Sequence, residues 1–233
     1  MDRGGDPGQV RHVYDGDTVL LEDGRKVRLI GVNTPEIGRD GRPSQPLAEA
    51  ARDALVALLG RERRVILRYG EERRDRHGRV LAHLFLDKSS NINALLVEQG
   101  YAAAIAVPPN LDYLDCYGGA EARARSAGLG IWSTLPFTSI PARRVDRDVR
   151  GFRLVTGVVR GHGESRRSIW LRLDGPLSLR IAKKDLMYFR DQDLARLVGK
   201  KVRARGWIHP GSKGPVMQVR HPFSLRQVHF PPD

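Results

Sequence analysis

Cysteine is nearly absent: Cys116 is the only one in 233 residues. A lone thiol cannot close an intramolecular disulfide, and it excludes a multi-cysteine zinc site or an iron–sulfur cluster. Long apolar runs are missing as well. No stretch approaches the roughly 20 residues that a membrane-spanning helix needs, and Met1 to Asp6 has no hydrophobic signal-peptide core. The chain as it stands is expected to be soluble and to have no membrane partner. Its location is left between the secreted or periplasmic space, if a leader was trimmed, and the cytoplasm. Familiar catalytic signatures are also lacking: there is no Gly-x-Ser-x-Gly elbow, no Walker-type phosphate loop and no His-Glu-x-x-His helix. The histidines are scattered, and His77 and His83 read as turn or strand-surface residues rather than ligands.

What is abundant is positive charge, and it is unevenly placed. The chain has 40 Lys+Arg against 27 Asp+Glu, a net +13, with 40% apolar residues. That apolar share is ordinary for a folded protein and argues against wholesale disorder. Residues 1–140 hold equal numbers of basic and acidic side chains, so the whole excess lies in the last 93 residues. A neutral first module followed by a strongly basic second one points to a polyanion as partner for the second, nucleic acid first among them. The plain alternative is a basic, solvated surface.

Along the chain, His12 to Val32 reads as a meander of short strands broken at Asp15-Gly16 and Asp23-Gly24. A Gly/Pro/Arg-rich loop from Pro35 to Pro46 follows. Leu47, Ala51, Leu55, Leu58 and Leu59 then fall on one helical face. Strands are expected at Arg64–Leu67 and Val80–Phe85, and helices at Asn91–Gln99 and about Leu114–Ser126. Five short strands with helices after the third and at the end suit an OB-type barrel. A proline-bearing linker is expected at 136–151. Beyond it the pattern restarts, with strands at Leu154–Arg160, Ser168–Leu173, Leu177–Ile181, Lys201–Ile208 and Val216–Val219, and a helix from Lys184 to Leu197. The fold class is thus mainly β with α (α+β), an OB-type five-stranded barrel with appended helices followed by a second OB-like barrel. The domains are 1–135, catalytic, and 152–233, basic and nucleic-acid-binding.

Three clusters in the first module bear chemistry: Asp15-Gly16-Asp17-Thr18, then Arg28 through Asn33-Thr34-Pro35-Glu36, then Asp75-Arg76-His77-Gly78-Arg79. Asp17 follows a tight turn and Asn33 ends a β run, so their oxygens are expected at one barrel edge, where Ca²⁺ or Mg²⁺ finds the oxygen donors it prefers. Arg28 sits in an otherwise apolar strand and needs an anionic partner. Each feature also has a plain reading: Asp-Gly as a turn, Arg28 as a structural ion pair, Gly78-Arg79 as a hairpin tip.

Taken together, in order and spacing, these clusters and the closing Gly130-Ile131-Trp132-Ser133 resemble the staphylococcal nuclease (thermonuclease) family over about His12 to Ser133. The resemblance implies a Ca²⁺-dependent phosphodiesterase that cleaves DNA and RNA to 3′-phosphate and 5′-hydroxyl ends. It implies a catalytic trio of Arg28, Glu36 and Arg79. Metal ligands would be Asp17, the Thr34 backbone carbonyl, and Asn33 at a position usually held by aspartate. Two departures stand out. Asn33 removes a unit of charge from the metal site, and Ala104 to Asn110 lacks the tyrosines that many relatives carry before the Pro-Asn turn. A catalytically silent nucleic-acid-binding scaffold is the rival reading, with Asn33 in its favour.

In the second module cations and aromatics interleave. Arg172, Arg180 and Lys183 come first, then Arg203, Arg205 and Trp207, which alternate along one strand and are expected to share a face. Such a surface suits single-stranded nucleic acid on an OB barrel, although Trp170 and Trp207 also suit a core. Gly206-Trp207-Ile208 to Met217 is similar to carboxyl-terminal OB extensions of some bacterial nuclease-family proteins. Oligomerisation is a further role open to this module, and oligomeric state is not fixed by the sequence.

Overall fold

Val19, Leu21, Val27 and Leu29 alternate with outward-facing neighbours and are fully buried, which is the two-residue period of a half-covered sheet. The computed structural model describes residues 5–38, 40–135 and 137–228. The chain divides into two units, Met1–Leu135 and Pro136–Asp233. No helix among the described residues is long and apolar enough to cross a membrane.

In the first unit the strands β1 (Asp6–Asp15), β2 (Thr18–Leu21), β3 (Lys26–Leu29), β5 (Arg64–Arg74) and β6 (Val80–Phe85) form a closed barrel in the order β1-β2-β3-β6-β5. All neighbours are antiparallel except β3 and β6. The β1–β2 register shifts twice, between Val10 and His12 and between Val13 and Asp15. The first of these keeps Val10 and Val13 both buried although they are three residues apart, as bulges re-aim side chains beside functional sites. A short pair, β4 (Val32–Asn33) with β7 (Ala103–Ala104), stands beside the barrel.

Three helices, α1 (Ala48–Leu59), α2 (Ile92–Glu98) and α3 (Leu114–Ser126), accompany this barrel. Helix α1 buries Ala48, Ala51, Leu55 and Leu59 at three-to-four-residue spacing. Truncating a fully buried leucine such as Leu55 to alanine costs roughly 2–5 kcal/mol. Asn91 caps α2 by accepting from the Ala94 N–H at 3.0 Å. Asn93, fully buried, accepts from Leu84 N–H at 3.1 Å and donates to the Ile30 carbonyl at 2.8 Å, pinning the turn after β3 to β6. Gly31 makes that turn at φ +77, and a Cβ there would lie 2.6 Å from the Tyr117 ring, so both conformation and space require glycine. On α3, Glu121 accepts from the Ala104 N–H at 2.9 Å. The helix thereby fixes β7, which in turn fixes β4.

The second unit repeats the connectivity. Strands β9 (Gly151–Glu164), β10 (Ser168–Leu173), β11 (Ser178–Ala182), β13 (Val216–Gln218) and β12 (Lys201–His209) follow one another, and β12 closes on β9; β8 (Ser139–Pro141) and β14 (Leu225–Gln227) lie at the edges. Again the third and fifth barrel strands, β11 and β13, are the parallel pair. The interior holds Val155, Val159, Leu171, Leu179, Ile181, Val202, Ala204, Ile208 and Met217.

Two expectations are corrected here. Part of the segment 136–151 is not a free linker: β8 pairs in parallel with β9, and Ala142 and Val145 enter the core. Its apolar residues, interspersed among prolines and arginines, give it something to bury. The helix expected from Lys184 to Leu197 is replaced by two 3₁₀ segments, Lys183–Phe189 and Ala195–Leu197. Asp193 accepts from the N–H groups of Ala195 and Arg196 at 3.0 and 3.4 Å, starting a new turn instead of prolonging the old one.

Candidate active site

The tightest polar cluster of the first barrel is built around Asp17, which is 3% exposed. Its Oδ2 accepts from Arg28 Nη2 at 2.9 Å and from the Thr34 N–H at 3.0 Å, and its Oδ1 accepts from the Thr18 hydroxyl at 3.1 Å. The β2–β3 register sets Thr18 opposite Arg28, which explains how residues eleven apart meet. Gly16 makes the approach possible, because a Cβ there would come within 2.7 Å of Thr34 and 2.9 Å of Ala51. The Arg28 guanidinium also donates through Nη1 to the carbonyls of Leu29 and Val32 at 2.5 and 3.2 Å. Expected to need an anion, Arg28 finds it in Asp17.

Asp15, which the sequence reading did not single out as a site residue, belongs to this cluster. Its Oδ1 accepts from the Asp17 N–H at 3.1 Å. Burial first, and the neighbouring Asp17 charge second, push its carboxyl up to about 6. The signal was present in the sequence as a second acid two residues from Asp17 across a tight turn.

Asn33 and Thr34 are buried, and Asn33 pairs with Ala103. The residues expected to hold a cation, Asp17, Asn33 and the Thr34 carbonyl, would offer only oxygen donors, which suit a hard divalent cation and not zinc or copper. A like-charged pair with one carboxyl driven toward protonation is also the arrangement that a bound cation relieves. Among the described residues no group of three or more His, Cys, Asp or Glu side chains is placed to hold a metal, in keeping with asparagine at position 33.

Glu36 is exposed on the loop after β4. Its N–H donates to the Gln45 side chain at 3.1 Å, and its carbonyl accepts from the Gln45 N–H at 2.9 Å, anchoring the loop. Arg79 follows the turn that ends at Gly78. Its Nε donates to Asp75 Oδ2 at 2.8 Å and its N–H to Asp75 Oδ1 at 3.0 Å. Burial alone would raise the Asp75 carboxyl, but hydrogen bonds from Arg79 and His77 outweigh it and hold it below the usual range. The terminal nitrogens of Arg79 have no hydrogen-bond partner among the described residues. In the parallel β3–β6 register Arg28 lies opposite Leu81, and Arg79 stands in the connection that leads into β6. The structure therefore joins Asp17, Arg28 and Thr34 by direct contact, while Arg79 is held separately, on Asp75.

His83 is 1% exposed, so it is a core residue and not a strand-surface one. The β6 face that carries it is covered by Tyr113 and Tyr117, whose rings lie 4.7 and 5.7 Å away.

In the second unit, Arg172 and Arg203 are exposed, Arg180 is half-buried, and Lys183 is paired with Glu164. Arg205 departs from the shared exposed face expected of it: it is 9% exposed, with its guanidinium 5.0 Å from the Phe223 ring centroid. The turn Pro222–Ser224 covers that part of β12. Trp207 is half-buried against Phe152, with ring centroids 5.2 Å apart.

Comparison with known proteins bears on the same region. The family described as Staphylococcal nuclease homologue matches residues 26–134. The thermonuclease of Staphylococcus intermedius is 38% identical over 126 residues, covering 53% of this chain and 74% of that protein. Endonuclease YncB of Bacillus subtilis is 34% identical over 122 residues, covering 51% of this chain and 58% of its own length. Endonuclease YhcR of the same organism is 26% identical over 208 residues; this match covers 84% of the present chain, reaching into the second unit, and 16% of YhcR. Arg28, Asn33, Thr34, Glu36 and Arg79 lie within the residues matched by the family and Asp15 and Asp17 just before them, and the chain belongs to the staphylococcal nuclease family.

Proposed function

We propose that the first unit is a Ca²⁺-dependent nuclease that hydrolyses phosphodiester bonds of DNA and/or RNA, single strands preferred, to 3′-phosphate and 5′-hydroxyl ends, and that the second unit binds nucleic acid. The observation that carries this reading is a pair of arginines each held by an aspartate, Arg28 by Asp17 and Arg79 by Asp75. Arg28 is locked to Asp17, and Arg79 is oriented through Nε with its terminal nitrogens unengaged among the described residues. A guanidinium fork matches the oxygens of a phosphate and stays charged at every working pH.

In this mechanism Glu36 orients a water and accepts one of its protons, as general base. The water oxygen forms the new bond to phosphorus, the bond from phosphorus to the 5′-oxygen breaks in line, and that oxygen takes up a proton from solvent. Arg79 and the free donors of Arg28 stabilise the charge that builds on the phosphate oxygens. Arginines in comparable positions of phosphoryl-transfer enzymes contribute about 10³–10⁵ in rate. The Asp17 carboxylate, the Asn33 amide and the Thr34 carbonyl are the oxygens that would hold Ca²⁺. When bound, the ion supplies Lewis-acid stabilisation and a template for the phosphate. A bent, accessible strand costs less to place between two arginines than a duplex, hence the strand preference.

The test is cleavage of labelled single-stranded DNA, duplex DNA and RNA with Ca²⁺, Mg²⁺ or EDTA, comparing the parent with Glu36→Gln. Ca²⁺-dependent products that disappear with EDTA and in the variant are the expected result. Tight, salt-sensitive binding with no cleavage under any metal refutes the enzyme and leaves the silent scaffold, with Asn33 as its mark.

A further inference from the structure

The outer face of the second barrel carries a cavity of about 400 Å³ lined by Arg167, Trp170, Arg180, His209, Pro210 and Gln218, among others. Its size falls in the range of small-molecule sites, roughly 300–1,000 Å³. The register explains its composition. Trp170 on β10 lies opposite Arg180 on β11, and Arg180 lies opposite Gln218 on β13, so three consecutive strands contribute one polar or aromatic side chain each to a single row. The β9–β10 turn adds Arg167, and the β12–β13 connection adds Pro210.

We propose that this cavity binds one nucleotide of a single-stranded nucleic acid, with the base against Trp170 and the phosphate on Arg180 and Arg167. The inference rests on the reading of the second unit as a nucleic-acid binder and assigns the place where it binds.

Three observations carry it. First, the indole is held and has room beside it. Its Nε1 donates to the Ser165 hydroxyl at 3.3 Å. On β9 the residue facing Trp170 is Gly163, where a Cβ would meet nothing within 4 Å. The Arg180 guanidinium lies over the ring, 6.0 Å from its centroid, and the flank toward Gly163 is open, so the half-buried indole is a stacking platform for an unpaired base. Second, the two arginines lack acidic partners among the described residues, whereas Arg143, Lys183, Arg196 and Arg220 of the same unit each have one. Arg180 is oriented by donating through Nε to the Ser168 hydroxyl at 2.8 Å. Its terminal nitrogens are left for an anion, as with Arg79 on Asp75. Third, the place is equivalent to that of the candidate active site. Both barrels run first-second-third-fifth-fourth strand, and in both some of the residues concerned come from the first-to-second and fourth-to-fifth connections. Those connections are Asp15 to Asp17 with Asp75 to Arg79 in one barrel, and Ser165 to Arg167 with Pro210 to Pro215 in the other. This is the corner where such barrels take oligonucleotides.

The experiment is fluorescence anisotropy of a labelled oligothymidylate with the full chain carrying Glu36→Gln, in EDTA, as a function of salt. Trp170→Ala should weaken binding about five- to 150-fold, and Trp170→Phe should recover part of it. Arg180→Gln and Arg167→Gln should each reduce the salt slope by about 0.7. Arg196→Gln, which removes the same charge from a residue paired with Asp193, should leave slope and affinity near the parent values. Loss of affinity in Arg203→Gln but not in Trp170→Ala or Arg180→Gln overturns the cavity assignment while the second unit remains a binder. Loss in Arg79→Ala alone, with every second-unit variant unchanged, overturns both. Circular dichroism of Trp170→Ala distinguishes a lost platform from a lost fold, and unchanged affinity in Trp170→Phe together with an unchanged slope in Arg180→Gln refutes the proposal even if the alanine variant unfolds.

Discussion

Two buried groups of the first unit should make its stability respond to acid in opposite senses. His83 is buried with Nδ1 2.6 Å from the Tyr117 hydroxyl, and its Nε2 has no hydrogen-bond partner among the described residues. Burial holds its imidazole down at about 4; the Asp112 charge opposes this and Arg68 adds to it. Protonation would bury a charge with an unanswered donor. Between pH 4 and 6.5 the unfolded chain binds this proton and the folded one does not, so the His83 contribution makes stability rise with pH. Asp15 does the reverse. Its carboxyl is pushed from 3.8 up to about 6, so in nearly the same window the folded state holds the extra proton and stability falls with pH. At about 1.4 kcal/mol per unit, each contribution is worth roughly 3 kcal/mol across the window.

The two contributions oppose one another in the parent between pH 4 and 6.5 in EDTA, and single variants should uncover the two slopes. Asp15→Asn keeps the carbonyl oxygen that accepts from the Asp17 N–H and removes the titration; its stability should climb by roughly 3 kcal/mol from pH 4 to 6.5. His83→Gln should fall by a similar amount. Because two units need not unfold together, the assay is urea unfolding followed at Trp132, with Trp170 and Trp207 replaced by Phe. A flat Asp15→Asn profile would show that His83 titrates normally in the folded protein. A steep rise in the parent, unchanged by Asp15→Asn, would refute the raised carboxyl.

Other expectations follow from the site. Asn33→Asp restores a negative charge beside Asp17 and should lower the Ca²⁺ midpoint for activity in a metal titration; an unchanged midpoint refutes a ligand role at position 33. Arg79→Ala should lower kcat by about 10³-fold or more, measured on single-stranded DNA, with binding affected far less. Asp75 orients Arg79 and also accepts from the His77 N–H at 2.9 Å, so Asp75→Asn should lower kcat by about ten- to 100-fold with little change in KM, and Asp75→Glu should recover part of the loss. Equal losses in kcat/KM and thermal midpoint across both Asp75 variants would make it a structural residue only.

Both barrels were legible because their signals are local. Alternation at Val19 to Leu29, Asp-Gly turns and the spacing of Ala51, Leu55 and Leu59 each act within a few residues of themselves. What was not legible depends on partners far along the chain. Arg205 alternates with Arg203 and Trp207 as an exposed residue would, yet a turn seventeen residues later covers it. Ser139 to Val145 looks like a linker until β9 gives it a strand to pair with. His83 lies within an apolar run, and only the approach of Tyr113 and Tyr117 makes it a core residue. The helix expected after Lys184 failed for a local reason: Asp193 competes for backbone donors that a continuous helix would have used.

The repeated connectivity gives the chain one structural corner with two electrostatic settings. In the first barrel the first-to-second connection presents Asp15 and Asp17, which attract a cation and need Arg28 to balance them. In the second the same connection presents Ser165 and Arg167, with Trp170 and Arg180 beside them, which attract an anion and a base. Cutting a phosphodiester requires charge concentrated at one phosphorus, supplied by acids, a cation and arginines in contact. Holding a strand requires the opposite arrangement, unpaired cations spaced along a backbone with a ring for a base. The net +13 arises from the second half of the chain because the first balances its arginines with carboxylates such as Asp17 and Asp75, while the second leaves Arg167 and Arg180 unbalanced. Raising salt should therefore weaken oligonucleotide binding steeply through the second unit and leave kcat, which is set by the contacts of the first, nearly unchanged.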